Sequence, residues 1–303
     1  MTVTIEQQLK KSFGFENPVC KNLNTPANDV IEVVVPDGHY ALKLYNVASR
    51  QAKDVQWEVD LTRHLIENGA PVAKPVAGKD GYLHNFVIGG QDRATVLFEW
   101  AAGEKPQASH DTYVLLGKAA AHIHQAADTF TSELPREKYN AAMLIDEQLE
   151  RMKKSLVESG QWRRVFDLTE RLRKIIANPT LDYGICHMDL TLDNVHRDGG
   201  NMTVFDFDSS GESWRALEPW KVKKLSEDYF HAWLAGYRSV REFSKDDEGA
   251  VAAFGIIGDI RNVVWKLGYA RSSRGEPLLR TEALPQVVDV WLEWEKDTVR
   301  YSE

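Results

Sequence analysis

The segment HMDLTLDN, residues 187–194, and the FDFD of residues 205–208 hold the residue types that could do chemistry. Asp189 and Asn194 have the spacing of a His-x-Asp-x4-Asn loop, and Asp206 ends the apolar run that follows. Phosphoryl transfer from ATP requires a carboxylate that orients the attacking hydroxyl, and an amide and a second carboxylate that hold Mg²⁺ on the phosphates. The pattern therefore predicts a kinase, with Asp189 as the catalytic residue, either the base or the group that orients the hydroxyl.

The chain between the two motifs favours a β-hairpin that turns at Asp198-Gly199-Gly200. Such a hairpin would bring Asn194 and Asp206 together, so that both could face one metal ion. Asp208 is a further candidate, either as a second metal ligand or as a group that holds the loop through backbone N–H groups. The alternative, that these acids only cap turns, is disfavoured because Asp206 and Asp208 interrupt an apolar run. We expect His187 to brace the loop rather than to catalyse.

A kinase also needs a cation on the donor phosphates, and Lys43 in the strand-like ALKLY is the candidate. Alternation places Ala41, Lys43 and Tyr45 on one face of that strand. In the helical pattern of about residues 52–68, Glu58 falls on the apolar arc, where a carboxylate requires a cation partner. An exposed lysine on a half-solvated strand is the alternative. The helix favours a Lys43–Glu58 pair that fixes the lysine over the phosphates.

Further nucleotide contacts are expected on both sides of this strand. No GxxxxGK[ST] is present, which excludes a P-loop kinase. The turn that would cover the phosphates is expected in LNTPANDV, residues 23–30, which contains no glycine to let the backbone approach closely. The strand that ends in LFEWAAG is predicted to be the hinge, where the backbone of Glu99, Trp100 and Ala101 would hydrogen-bond adenine.

The order of the patterns predicts an α+β architecture. Residues 1–100 read mainly as strands with one helix, including a hairpin at Asp37-Gly38, and from about residue 112 the patterns are mostly helical. We therefore expect a small β-rich N-terminal lobe over 1–100 that binds the nucleotide. A larger, mainly helical lobe over 101–303 would carry the catalytic loop and the acceptor site.

Composition excludes several classes of protein. The 303 residues are 43% hydrophobic, enough for a sizeable core, and the net charge of -8 argues against a nucleic-acid partner. No segment approaches 18 uncharged apolar residues, so we expect no membrane span and a cytoplasmic location. The two cysteines, Cys20 and Cys186, have no disulfide or metal spacing, and Cys186 is expected to be a buried thiol. The sequence carries no signal for the oligomeric state.

At this point the chain resembles the aminoglycoside phosphotransferase-like kinases, which include choline, homoserine and methylthioribose kinases. The resemblance rests on ALKLY with its following glutamate, LFEWAAGE, LGKAAAHIHQ, HMDLTLDN and VFDFDSS. It looks most like the homoserine-kinase-type-II and stress-response-kinase branch, because of the acid-rich stretch and of IRNVVWKLGYA, residues 260–270. The resemblance implies a protein-kinase-like two-lobe fold, and ATP or GTP with Mg²⁺.

The same resemblance implies a role for each matched residue. Asp189 corresponds to the catalytic aspartate, and Asn194 and Asp206 correspond to the magnesium ligands. Lys43, paired with Glu58, corresponds to the phosphate-binding lysine. Two departures stand out. Methionine at 188 replaces the usual glycine, and SSGESWRALEPW lacks the usual Asp-Leu-Ala after the metal aspartate.

The leading hypothesis is ATP-dependent phosphorylation of a hydroxyl on a small molecule. Glu227 and Asp228 in the late helices would suit an amine-bearing acceptor such as an aminoglycoside, choline or homoserine, whereas Arg261 would suit a carboxylate, and a sugar-like acceptor also fits the class. A protein Ser/Thr kinase of the stress-response type is an alternative, disfavoured because no Ala-Pro-Glu segment follows Asp206. A catalytically silent nucleotide-binding pseudokinase is a second alternative, disfavoured because the predicted catalytic residues are all present.

Overall fold

An antiparallel sheet forms the N-terminal part of the protein. The computed structural model describes residues 3–23, 28–268, 270 and 276–299. Within these residues, six strands pair in the order β1-β2-β3-β6-β4, and β5 pairs with β6. Their bounds are β1 Val19–Asn22, β2 Asp29–Val35, β3 Gly38–Leu44, β4 Pro75–Val76, β5 Leu83–Ile88 and β6 Gln91–Glu99. The predicted hairpin between β2 and β3 is confirmed, although Pro36 and Asp37, rather than Asp37 and Gly38, connect its strands.

Helix α1, Ile5–Phe13, precedes β1, and helix α2, Ala52–Glu67, lies between β3 and β4 in the chain. The expectation of one helix in the first hundred residues is therefore wrong. A signal for α1 exists, because Thr4 and Gln7 form a capping box at its start. Leu42 belongs to a core cluster that includes Leu9 of α1, whereas Tyr45 belongs to a separate cluster with Val55 and Val59 of α2. Successive residues of a strand point to opposite faces, so Lys43 is placed on the α2 side.

The rest of the chain is mainly helical, as the sequence predicts. The helices after the sheet are α3 His110–Ala127, α4 Glu147–Glu158, α5 Trp162–Ile176, α6 Trp220–Leu225, α7 Glu227–Arg238, α8 Lys245–Gly268 and α9 Leu284–Val299. Four short strands interrupt them: β7 Tyr183–Cys186, β8 Val195–Asp198, β9 Asn201–Val204 and β10 Gly211–Trp214. β8 and β9 form the predicted hairpin, and Gly199 takes a positive φ of 58° in its turn.

Two compact units are distinguished by the contacts of the backbone. Unit 1 comprises Met1–Ala108, Lys118–Arg136 and Asp189–Ser210. Unit 2 comprises Ser109–Gly117, Glu137–Met188 and Gly211–Glu303. In unit 2, α8 packs against α4, α5, α6 and α9. Residues 189–208 of the two sequence motifs thus belong to the unit that contains the sheet, and the predicted lobe boundary at residue 100 stays a prediction.

Among the described residues, none of the helices combines the length and the apolar character that a membrane span needs.

Candidate active site

A buried lysine joins two acidic residues in unit 1. The Nζ of Lys43 lies 3.1 Å from Glu58 Oε1 and 2.6 Å from Asp206 Oδ1. The side chains of Lys43 and Glu58 are only 7% and 2% exposed, whereas that of Asp206 is 40% exposed. Strand β3 supplies the lysine, helix α2 supplies the glutamate, and the segment after β9 supplies the aspartate. The pair inferred from the helical arc is present, and a second carboxylate shares the same ammonium.

The electrostatics of this cluster keep the lysine charged. Burial alone would lower the pKa of Lys43, but the carboxylates of Asp206 and Glu58 outweigh burial and raise that pKa well above its usual value. Burial raises the pKa of Glu58, and the lysine only partly opposes this. The Lys43 ammonium also lies 4.5 Å from the centre of the Tyr45 ring, within the range of a cation–π contact. At neutral pH the site therefore presents a fixed positive charge.

The loop that contains Asp189 and Asn194 is held by its own side chains. The Thr191 hydroxyl accepts the N–H of Asp193 and begins the single turn Leu192–Asn194. The Nδ2 of Asn194 donates to the backbone oxygen of Asp189 at 2.8 Å and to its Oδ2 at 3.1 Å. These bonds orient the Asp189 carboxylate. No hydrogen bond of the described residues uses the Oδ1 of Asn194, so this amide oxygen remains available as a ligand.

Asp206 adopts a left-handed backbone conformation, with φ 69° and ψ 63°. A non-glycine residue in this region costs roughly 1–2 kcal/mol and persists only where its surroundings hold it. One support is the hydrogen bond from the N–H of Phe205 to Asn194 O, 3.0 Å long, which ties the aspartate to the catalytic loop. A carboxylate and an amide oxygen are the hard ligands that Mg²⁺ prefers, so the chemistry of Asp206 and Asn194 fits that ion.

Asp208 engages a different partner. Its Oδ2 accepts a hydrogen bond from Asn28 Nδ2 at 2.8 Å and lies 4.0 Å from Lys43 Nζ. Asn28 in turn accepts the N–H of Asn46. Burial alone would raise the pKa of Asp208, but Lys43 and Asn28 outweigh burial and lower it. Asn28 belongs to the predicted phosphate-covering turn, of which residues 24–27 lie outside the described part of the chain.

The predicted hinge lies along the same cavity. The N–H of Glu99 donates to Lys74 O at 2.8 Å, and that of Trp100 donates to His39 O at 3.0 Å. Ala101 O lies 2.8 Å from His196 Nδ1. Across the described residues, no hydrogen bond uses the N–H of Ala101. That group therefore remains open to a ligand.

One cavity of unit 1, about 690 Å³ in volume, collects nearly all the predicted site residues. It is lined by Lys43, Glu58, Glu99, Trp100, Ala101, Asp189, Asn194 and Asp206, among others. The volume lies within the usual range for small-molecule sites. Asp208, also predicted as a site residue, does not belong to its lining.

Two residues outside the predicted set also shape this region of unit 1. Arg50 donates to the backbone oxygen of Asp208 at 2.7 Å. Arg136 donates to the backbone oxygens of Asp208 and Ser210. It also donates to the backbone oxygen of Asp54 on α2. Neither arginine stands within a recognisable motif, and these hydrogen bonds go to carbonyl groups, which every residue carries.

In unit 2, a glutamate holds the residue that precedes Asp189. Met188 has a φ of 69°, a left-handed backbone conformation that favours glycine, the residue that the resemblance leads us to expect at this position. Its N–H donates to Glu218 Oε1 at 2.7 Å. Glu218 lies within SSGESWRALEPW, the segment that lacks the usual Asp-Leu-Ala. An acid in that segment was the available signal, and the structure shows that it anchors the backbone at Met188.

Comparison with known proteins identifies the family. A model of the phosphotransferase enzyme family matches residues 26–252. A homoserine kinase from Neisseria meningitidis is 26% identical over 243 residues, 76% of this chain and 76% of that protein. Two solved structures have a TM-score of 0.76. An amicoumacin kinase in complex with AMP-PNP, Ca²⁺ and Ami is 19% identical and covers 97% of this chain and 93% of that one. A microcompartment-associated aminopropanol kinase is 20% identical, with coverages of 98% and 95%.

These matches confirm the predicted kinase-like fold, with its β-rich N-terminal and mainly helical C-terminal parts, and the predicted enzyme class, a phosphotransferase. The chain belongs to the phosphotransferase enzyme family.

Proposed function

We propose that this protein transfers the γ-phosphoryl group of ATP to a hydroxyl of a small, amine-bearing alcohol. The observation that carries the proposal is the buried ammonium of Lys43, which lies in one cavity with the carboxylate of Asp189 and the amide of Asn194. A buried cation next to an oriented carboxylate matches the two needs of phosphoryl transfer, which are charge stabilisation and positioning of the nucleophile.

In the proposed reaction, Asp189 orients the acceptor hydroxyl and takes its proton as the new oxygen–phosphorus bond forms. The bond between the γ-phosphorus and the β,γ-bridging oxygen breaks, and ADP leaves. Lys43 binds the α- and β-phosphates and neutralises part of the charge that develops on the leaving group. Asn194 keeps the carboxylate of Asp189 turned toward the acceptor through its two hydrogen bonds.

Asn194 and Asp206 would hold Mg²⁺. When bound, this ion neutralises negative charge on the transferring phosphates. Asn194 offers its free amide oxygen, while Asp206 already gives one oxygen to Lys43. The amicoumacin kinase solved with AMP-PNP and Ca²⁺ supports a nucleotide with a divalent ion.

The hinge would bind the base of the nucleotide. The free N–H of Ala101 can donate to N1 of adenine, and Glu99 and Trp100 line the same part of the cavity. We therefore propose ATP as the donor, with GTP as a competitor to be tested. Because ATP is a phosphoryl donor of the cytoplasm, we place the reaction there.

The proposed acceptor class rests on the similar proteins. Homoserine and aminopropanol are both small amino alcohols, and each is the substrate in the name of a similar kinase. The net charge of -8 would favour the approach of a cationic amine over that of an anion.

The test is ADP release from Mg²⁺-ATP with a panel of homoserine, aminopropanol, ethanolamine, choline and aminoglycosides. Each amino alcohol is paired with the alcohol of the same carbon skeleton that lacks the amine, and casein serves as a protein acceptor. Asp189→Ala is the control, in which transfer should stop while nucleotide binding persists. Turnover that needs both the amine and Asp189 supports the proposal. Turnover of casein alone, or equal turnover in Asp189→Ala, contradicts it.

A further inference from the structure

We propose that Arg136 is a positioning residue that fastens helix α2 to the turn after Asp206 and thereby keeps two carboxylates on Lys43. This proposal rests on the proposed function only for its effect on catalysis, since the link itself is a property of unit 1. Arg136 lies after α3, away from every motif that points to chemistry.

On one side, the guanidinium of Arg136 holds the turn Phe207–Ser209. Its Nε–H donates to Ser210 O at 2.6 Å, and its Nη2 donates to Asp208 O. Phe207 O lies 3.4 Å from the same Nη2. These carbonyl groups belong to the turn that directly follows Asp206. Because Asp206 has a left-handed backbone, the turn needs support from outside the local chain.

On the other side, the same guanidinium holds the first turns of α2. Its Nη1 donates to Asp54 O at 3.2 Å, and its carbon lies 4.6 Å from the centre of the Trp57 ring. Trp57 is buried and meets Phe130 edge-on, with ring centres 5.5 Å apart. In an α-helix, the carbonyl of residue 54 accepts the N–H of residue 58. Arg136 therefore binds the helix at Asp54 O, the same backbone oxygen that accepts the N–H of Glu58.

The two sides meet at Lys43. Helix α2 presents Glu58 to the ammonium, and the turn after β9 presents Asp206 to it. The two carboxylates repel each other and need the lysine between them. A link that fixes the distance between α2 and the turn therefore also fixes the geometry of the ammonium that would bind the phosphates.

Only arginine can make this set of contacts. Its planar guanidinium donates in several directions at once and stacks on an aromatic ring, whereas lysine offers one compact ammonium. Arg50 also donates to Asp208 O, but it comes from the segment before α2, whereas Arg136 donates both to the turn and to Asp54 of the helix. A single guanidinium, that of Arg136, thus links the helix and the turn.

The experiment compares Arg136→Met and Arg136→Lys with Arg63→Met. Arg63 is a matched control on α2, because its guanidinium also stacks on an aromatic ring, 4.7 Å from the centre of Tyr82, and pairs with an exposed acid. The first readout is hydrogen exchange of the ligand-free protein in peptides covering residues 52–60 and 205–210. The second is the gain in ADP affinity on addition of Mg²⁺, measured by calorimetry, with kcat and KM for ATP.

In Arg136→Met we expect exchange in both peptides to rise by about tenfold or more, the effect of losing one charge-assisted hydrogen bond. The gain in ADP affinity from Mg²⁺ should fall by a similar factor, and kcat should fall more than KM rises. Arg136→Lys should show the same changes, and Arg63→Met should show neither. Ethylguanidinium ion should partly restore turnover to Arg136→Ala but not to Lys43→Met.

Exchange that rises equally in the peptide of the β2–β3 hairpin would mean general support of the fold and would overturn the proposal. So would wild-type exchange and Mg²⁺ response in Arg136→Met. If Arg136→Met does not fold, Arg136→Lys decides by the same criteria. A wild-type protein whose ADP binding ignores Mg²⁺ would instead refute the proposed function, while the exchange data would still decide the role of Arg136.

Discussion

Removing the buried lysine tests the charge arrangement of the site most directly. In Lys43→Met, the carboxylate of Glu58, 2% exposed, loses its cation, whereas Asp206, 40% exposed, can be solvated. Breaking a buried pair in this way costs about 3–5 kcal/mol, because an uncompensated charge stays in the interior. In Lys43→Met/Glu58→Leu that charge is gone, so the free energy of unfolding should return to within about 1–2 kcal/mol of the wild type.

The assay is urea unfolding at pH 7, with Lys10→Met as the control. Lys10 pairs with Glu16 at 2.6 Å, but both side chains are more than half exposed, so its loss should cost about 1 kcal/mol or less. The double variant should be stable yet inactive, because it lacks the proposed phosphate-binding ammonium.

The pH dependence gives the reasoning a second check. Burial raises the pKa of Glu58, and without the lysine nothing opposes that rise. A group whose pKa is raised in the folded state stabilises the fold at low pH and loses this contribution as pH rises through its folded pKa. Lys43→Met should therefore regain stability on acidification. A loss no larger than that of Lys10→Met, or a double variant no more stable than the single one, would refute the argument.

Three further predictions concern single side chains. Met188→Gly should be more stable to urea than Met188→Ala by about 1 kcal/mol, because residue 188 has a left-handed backbone that glycine adopts more readily. A Met188→Ala variant more stable than Met188→Gly would contradict this. Asp208→Asn should flatten the loss of stability below about pH 4, since the pKa of Asp208 is lowered in the fold and its contribution disappears on protonation; an unchanged acid limb would contradict this. Burial raises the pKa of Cys186 strongly, and burial with Glu6 raises that of Cys20 to about 11, so neither thiol should react readily with a disulfide reagent at pH 7 before unfolding.

Much of the fold could be predicted because short stretches of the sequence specify it. The hairpins follow from turn residues and alternation, and the helices α2, α3 and α5 follow from apolar periodicity. The buried position of Glu58 could be predicted because one helical arc contained both it and the apolar residues. Its contact with Lys43 follows from the rule that a buried carboxylate needs a cation.

The other features of the fold and site depend on contacts that no local sequence pattern indicates. Asn28 and Asp208 are 180 residues apart in sequence, and neither type specifies the other as its partner. Arg136 binds backbone carbonyl groups, which every residue carries, so no residue type in the sequence indicates its partners. Met188 shows the converse case, since its side chain gives no hint of the left-handed backbone that Glu218 helps to hold.

The sequence distance between Lys43 and Asp206 also sets an order of events during synthesis. These partners are 163 residues apart, whereas Lys43 and Glu58 are only 15 apart. At about 5–20 residues per second, a ribosome needs roughly 8–33 s to extend the chain from the lysine to the aspartate. The nascent sheet can thus form its first ion pair early, but it has no complete nucleotide site in that interval. Binding of ATP at the proposed site can stabilise the finished protein, but it cannot guide the folding of the sheet, because the site is incomplete until Asp206 has been synthesised.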